Sequence, residues 1–126
     1  MAKILIVEDN VDLLAILRDL LGAEHEVATA LRGEEAVAKA REFVPDLVIL
    51  DLQLPSMDGI EAGRWIKQEL APREVPILAL TALAQPGDAE VVLRSGCCDA
   101  YMAKPAPLDA IRARVAELLG PERRAA

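Results

Sequence analysis

Three unbroken apolar runs constrain this chain more than anything else in it: Lys3–Val7 (KILIV), residues 46–50 (DLVIL) and residues 75–80 (VPILAL). A strand with one wet face alternates apolar and polar residues. A run that is apolar at every position is buried on both faces, as in a parallel sheet covered by helices. Two weaker strands are expected at 25–30 (HEVATA) and 99–103 (DAYMA). Between the strands lie segments of helical period. Asn10 suits the N-cap of Val11–Gly22, with Gly22 placed to stop that helix. Gly33–Phe43, Gly59–Leu70 and 87–95 follow. A last helix starts near Pro107 and carries Leu108, Ile111, Val115 and Leu118 at helical spacing, before Gly120-Pro121 stops it. Five βα units predict an α/β fold: a doubly wound, five-stranded parallel sheet with helices on both faces and right-handed crossovers.

A chain of 126 residues accommodates one such domain, which can bury its core without disulfides or a structural metal. The domain is expected over 1–120, with 121–126 as a disordered tail or the stub of a linker. The net charge of −7 opposes direct nucleic-acid binding, which relies on stripes of Lys and Arg to replace counterions. The N-terminal apolar run is too short for a signal peptide or a membrane span, so a cytoplasmic protein without a membrane partner is expected. Cys97 and Cys98 are adjacent and cannot staple distant loops. They read as small buried residues of a reducing compartment, with a redox switch as the lesser alternative.

In open parallel sheets the ligand site lies beyond the carboxyl ends of the strands. The first strand ends in Glu8-Asp9 and the third in Asp51. Any one of these acids could be a solvated strand-end group, or an acid favoured by a helix N-terminus. If the two strands are neighbours, however, three carboxylates converge and repel one another unless a cation joins them. An all-oxygen set suits Mg²⁺ or Mn²⁺, and no Cys/His set for zinc is present, His25 being the only histidine. The fourth strand ends in Leu80-Thr81-Ala82 and the fifth runs into Ala103-Lys104-Pro105. A hydroxyl, an ammonium and a metal around one carboxylate make a site for a phosphoryl group.

VEDN near the start, ILDLQLPSMDG around Asp51, ALTALA around Thr81 and YMAKP around Lys104 together resemble the receiver domain of two-component response regulators, in its single-domain, CheY-like form. The resemblance runs from Lys3 to Leu119. It implies a flavodoxin-like strand order 2-1-3-4-5. Asp51 would be the phosphoacceptor, served by a sensor histidine kinase or a histidine phosphotransfer protein. Glu8, Asp9, Asp51 and the backbone carbonyl of Gln53 would hold Mg²⁺ (or Mn²⁺), and Thr81 and Lys104 would contact the phosphoryl oxygens. The Lys104-Pro105 bond would be cis. Gly59 would be the turn glycine that starts the next helix near the site.

The same resemblance makes Thr81 and Tyr101 a switch pair, the hydroxyl swinging toward the phosphoryl group and the aromatic ring turning inward. Output would leave through helix four, strand five and helix five, about 85–119, to a downstream protein target. The protein would be a monomer or a phosphorylation-dependent homodimer, and no enzyme beyond chemistry on itself. Gln53 and Leu83 stand at positions that influence phosphoryl lifetime in the family, and Leu83 cannot orient a water, which implies a persistent phosphoryl state. A receiver-like interaction module that works without phosphorylation is the main competitor. A flavin carrier is disfavoured because EDNVD after the first strand would repel a flavin phosphate. A small-molecule phosphatase is disfavoured because Gln53 replaces a second carboxylate two residues after Asp51.

Overall fold

In a computed structural model, residues 1–55, 57–82 and 87–120 are described. Leu83, Gln85 and the tail 121–126, on which expectations were placed above, lie outside the described residues. Five strands and five helices alternate: β1 (Lys3–Val7), α1 (Val11–Gly22), β2 (Glu26–Ala30), α2 (Gly33–Phe43), β3 (Leu47–Leu50), α3 (Gly59–Leu70), β4 (Ile77–Thr81), α4 (Asp88–Arg94), β5 (Ala100–Ala103) and α5 (Leu108–Leu119). All strand pairs are parallel, in the order β2-β1-β3-β4-β5. This is the flavodoxin-like order the resemblance implies.

The apolar runs are explained by two layers of core. Leu5 and Val7 of β1 and Val48 and Leu50 of β3 face one side. There they meet Ala36 and Ala40 of α2, Ala62 and Ile66 of α3, and Val92 of α4. Ile4, Ile6, Leu47 and Ile49 face the other side, against Leu14, Leu17 and Leu21 of α1 and Ile111, Val115 and Leu119 of α5. Successive strand residues point to opposite faces, and both faces here are dry.

Element boundaries shift from the sequence reading where side chains take over backbone partners. The backbone N–H of His25 donates to the Leu21 carbonyl, so β2 begins one residue later than expected. Pro76 has no N–H to give, and β4 starts at Ile77, whose N–H donates to the Asp99 carboxylate. Gly22 does not stop α1 but lies inside it, and Ala23 is the cap. Pro107 is the cap of α5 rather than a member of its first turn. Gly87, in the left-handed region at φ 88°, precedes α4. The Lys104-Pro105 bond is cis, as the resemblance implies, and so is Ala71-Pro72. Cys97 and Cys98 are buried free thiols. Among the described residues, no helix is long and apolar enough to cross a membrane.

Gly63 shows how closely α3 is seated. A Cβ there would fall 2.4 Å from the Cys97 carbonyl oxygen, whereas one at Gly22 would meet nothing within 4 Å. Gly63→Ala should therefore cost about 1–3 kcal/mol, since the obstruction is backbone. Gly22→Ala should gain about 0.5 kcal/mol from helix propensity. Urea denaturation midpoints of the two variants should move in opposite directions.

The ring Nδ1 of His25 accepts the Ala2 N–H at 3.1 Å, which joins the start of β1 to the end of α1. Burial lowers the His25 pKa from its ordinary value, more strongly than neighbouring Glu24 raises it. A base whose pKa falls on folding binds fewer protons folded than unfolded. Its contribution is complete above its unfolded pKa and is lost as the pH falls through the folded one. The Tm should drop between about pH 7.5 and pH 5, and more steeply for the native chain than for His25→Asn, as thermal melts across that range would show.

Candidate functional site

Register brings the acids together. Val7 pairs with Leu50 as the last residues of β1 and β3, so Glu8 and Asp51 leave the sheet side by side. The Asp51 N–H donates to the Val7 carbonyl at 2.9 Å, and the Glu8 N–H to Ala30 at 3.0 Å. Thr81 and Ala103 close β4 and β5 in the same way, and the Lys104 N–H donates to the Thr81 carbonyl at 2.8 Å. Thr81, at the rim end of β4, is fully buried.

Glu8, Asp9 and Asp51 each offer a carboxylate oxygen, and these oxygens lie within 4.8 Å of one another. Only 2% of Glu8 and 4% of Asp51 is exposed, whereas Asp9 faces solvent. Burying two carboxylates is expensive unless they are hydrogen-bonded and balanced, and each oxygen pair here is served. The Lys104 Nζ donates to Glu8 Oε1 at 2.6 Å and to Asp51 Oδ2 at 3.0 Å. Glu8 Oε2 accepts the Asn10 N–H at 3.0 Å, and Asp51 Oδ1 the Gln53 N–H at 2.9 Å. Burial raises the Glu8 pKa more than the Lys104 and Asn10 hydrogen bonds lower it, and the Asp51 charge raises it further. Burial pulls the Lys104 pKa down, but its bonds to Glu8 and Asp51 outweigh that and leave it raised. The ammonium is thus held charged between two buried acids.

The loop after Asp51 is closed by a single antiparallel bridge between Gln53 and Asp58. Asp58 also caps α3 through the Ile60 N–H. A Cβ on Gly59 would fall 2.2 Å from the Leu52 Cα, so this glycine serves a close approach of backbone to backbone. Tyr101 pairs in register with Ala79, two residues before Thr81 on the neighbouring strand. It packs against the α2–α3–α4 core layer. Its hydroxyl is buried and has no hydrogen-bond partner among the described residues, and burial raises its pKa.

Glu8, Asp9, Asp51 and Lys104 therefore share one cleft, with Thr81 beside Lys104 on the rim. Gln53 takes part through its N–H, while Tyr101 stands farther down β5. Asn10 was read only as a helix cap. It does cap α1, its side chain accepting from Asp12 and Leu13, but its own N–H also orients Glu8. A polar residue with that second duty leaves no distinct mark in a sequence.

A five-stranded 2-1-3-4-5 sheet with acids, a lysine and a threonine at its carboxyl edge defines a receiver. The model of the response regulator receiver domain matches residues 4–116, and the chain belongs to that family, which works in two-component signalling. It is 41% identical over 104 residues to the polar-differentiation response regulator DivK of Brucella ovis, covering 82% of this chain and 84% of DivK. The receiver domain of the sensor histidine kinase PA1611 from Pseudomonas aeruginosa, solved with magnesium coordinated in its active-site cleft, is 33% identical. It aligns at a TM-score of 0.83 over 95% of this chain and 98% of that one. A CheY-like receiver domain protein from Methanospirillum hungatei aligns at 0.86 with 27% identity, over 99% and 98% of the two chains.

Lys104→Met would leave two buried carboxylates without their cation. Chemical denaturation should show a loss of about 2–4 kcal/mol, and adding Asp51→Asn to the same chain should recover part of it.

Proposed function

We propose that the chain is a phosphorylation-activated switch with Asp51 as phosphoacceptor. The observation that carries this is the Asp51 carboxylate itself: buried, held at one oxygen by the Gln53 N–H and at the other by Lys104, and within 4.8 Å of carboxylate oxygens of Glu8 and Asp9. In the transfer, the P–N bond of a phosphohistidine on a sensor histidine kinase or phosphotransfer protein breaks. A P–O bond to Asp51 forms, and the imidazole keeps the electron pair and takes up a proton. Thr81 and Lys104 would bind the phosphoryl oxygens, Lys104 already standing at bonding distance from Asp51.

Glu8, Asp9, Asp51 and the carbonyl of Gln53 would hold Mg²⁺. The all-oxygen donor set suits a hard divalent cation that keeps several waters, as does the magnesium in the PA1611 cleft. When bound, the ion supplies positive charge where the phosphoryl oxygens gather. Mn²⁺ meets the same donor preference.

The receiver unit would run through the end of α5, and α4, β5 and α5 would carry the signal to a downstream protein in the cytoplasm. A phosphoryl group adds about −1.5 to −2 charge and acts only by biasing an element with two arrangements. Thr81 and Tyr101 are placed for that role, the tyrosine by a buried hydroxyl without a partner among the described residues. The helix α4, only seven residues long with a left-handed glycine at its start, supplies a segment of low local stability.

Incubating the full chain with Mg²⁺ and acetyl phosphate should add the mass of one phosphoryl group, and Asp51→Asn should abolish the addition. Beryllofluoride with Mg²⁺ should change amide exchange in residues 88–103. An unchanged mass would overturn the phosphoacceptor reading in favour of an interaction module. Altered mass with unchanged exchange would overturn the output face alone.

A further inference from the structure

Trp65 is the only tryptophan in the chain and stands 49% exposed in the middle of α3. With Glu61, Arg64 and Gln68 it forms the solvent face of that helix, and these four residues, Asp58 and Ile60 line a shallow groove. Arg41, Arg73, Arg94, Arg112 and Arg114 each meet a carboxylate. Arg64 meets none among the described residues, and neither does Glu61 meet a cation. An exposed tryptophan beside an unpaired arginine is the composition of an interface centre rather than of an ordinary helix surface.

We propose that this face pairs with a second copy of itself, α3 running antiparallel to the partner's α3 about a two-fold axis between positions 64 and 65. In such an isologous contact the residue at one position faces its mirror position on the other copy. Arg64 then lies over the indole of the other copy's position 65, and this happens twice. Each such contact is a cation–π pair. Glu61 faces position 68, a glutamine whose amide can donate to it, and Ile60 faces position 69. Like charges oppose each other nowhere along this register, which is what selects a second copy although each chain carries a net charge of −7.

The contact is small, one helix face from each copy, so the dimer is weak and concentration-dependent. It uses no residue of the acidic cleft and does not depend on phosphorylation. It stands apart from the proposed function, and Asp51→Asn should dimerise like the native chain.

Sedimentation equilibrium of the full chain, from about 10 µM to about 1 mM, should show the mass rising from 13.6 kDa toward that of a dimer. The Trp65 emission should shift to shorter wavelength over the same range. Trp65→Ala should weaken association about tenfold. Gln68→Lys should strengthen it and Gln68→Glu weaken it, each about threefold, because position 68 faces Glu61. A chain that stays monomeric at the highest concentration would overturn the proposal and leave this face to a different protein. A dimer insensitive to Trp65→Ala and to both Gln68 variants would overturn it too, since its interface would lie elsewhere.

Discussion

The ammonium of Lys104, held between Glu8 and Asp51, is the interaction on which the rest of this structure turns. Two carboxylates taken almost wholly out of water would push each other apart or take up protons. One cation bonded to both at 2.6 and 3.0 Å lets them stay together and charged. That pairing spans the sheet, since Glu8 follows β1, Asp51 follows β3 and Lys104 follows β5. It is possible only because β1 and β3 are neighbours whose ends are in register, and because β4 hands the Lys104 N–H its acceptor at Thr81.

Around that centre the fold divides its labour. Strands buried on both faces hold the site's positions, and short loops hold its directions. Backbone N–H groups of Asn10 and Gln53 aim the acids, while Gly59 lets the following helix press against Leu52. The short helix α4 sits between the fixed part and β5, whose Tyr101 reaches into the same core layer as α3 and Val92. Rigid placement at one rim and a weakly held helix beside it are what a receiver needs to convert a local charge into a surface change. On the far side of that layer, α3 presents Arg64 and Trp65 to solvent, remote in role from the acids although the same helix begins at Asp58 in the site loop.

Much of this was legible in the residues. Continuous apolar strands announce a sheet covered on both sides, and the acids, threonine and lysine announce themselves by following those strands. Boundaries were less legible wherever a side chain replaced a backbone partner, as at His25, Asp99 and Pro76, because nothing local marks a carboxylate that will cap a distant strand. The expected stop at Gly22 failed for a related reason: a glycine is permitted to end a helix but not obliged to. The second role of Asn10, the close approach at Gly59 and Gly63, and the buried hydroxyl of Tyr101 were out of reach, since each depends on a neighbour far away in the chain.

The sequence by itself determined the alternation of strands and helices and which chemical groups stand at strand ends, because hydrophobic period and residue type are local properties. Only the tertiary structure decided which strand ends are adjacent, which oxygen of each acid meets Lys104, and which arginine and aromatic are left facing water. Those outcomes depend on register and packing, where one residue of slip would carry every side chain to the opposite face.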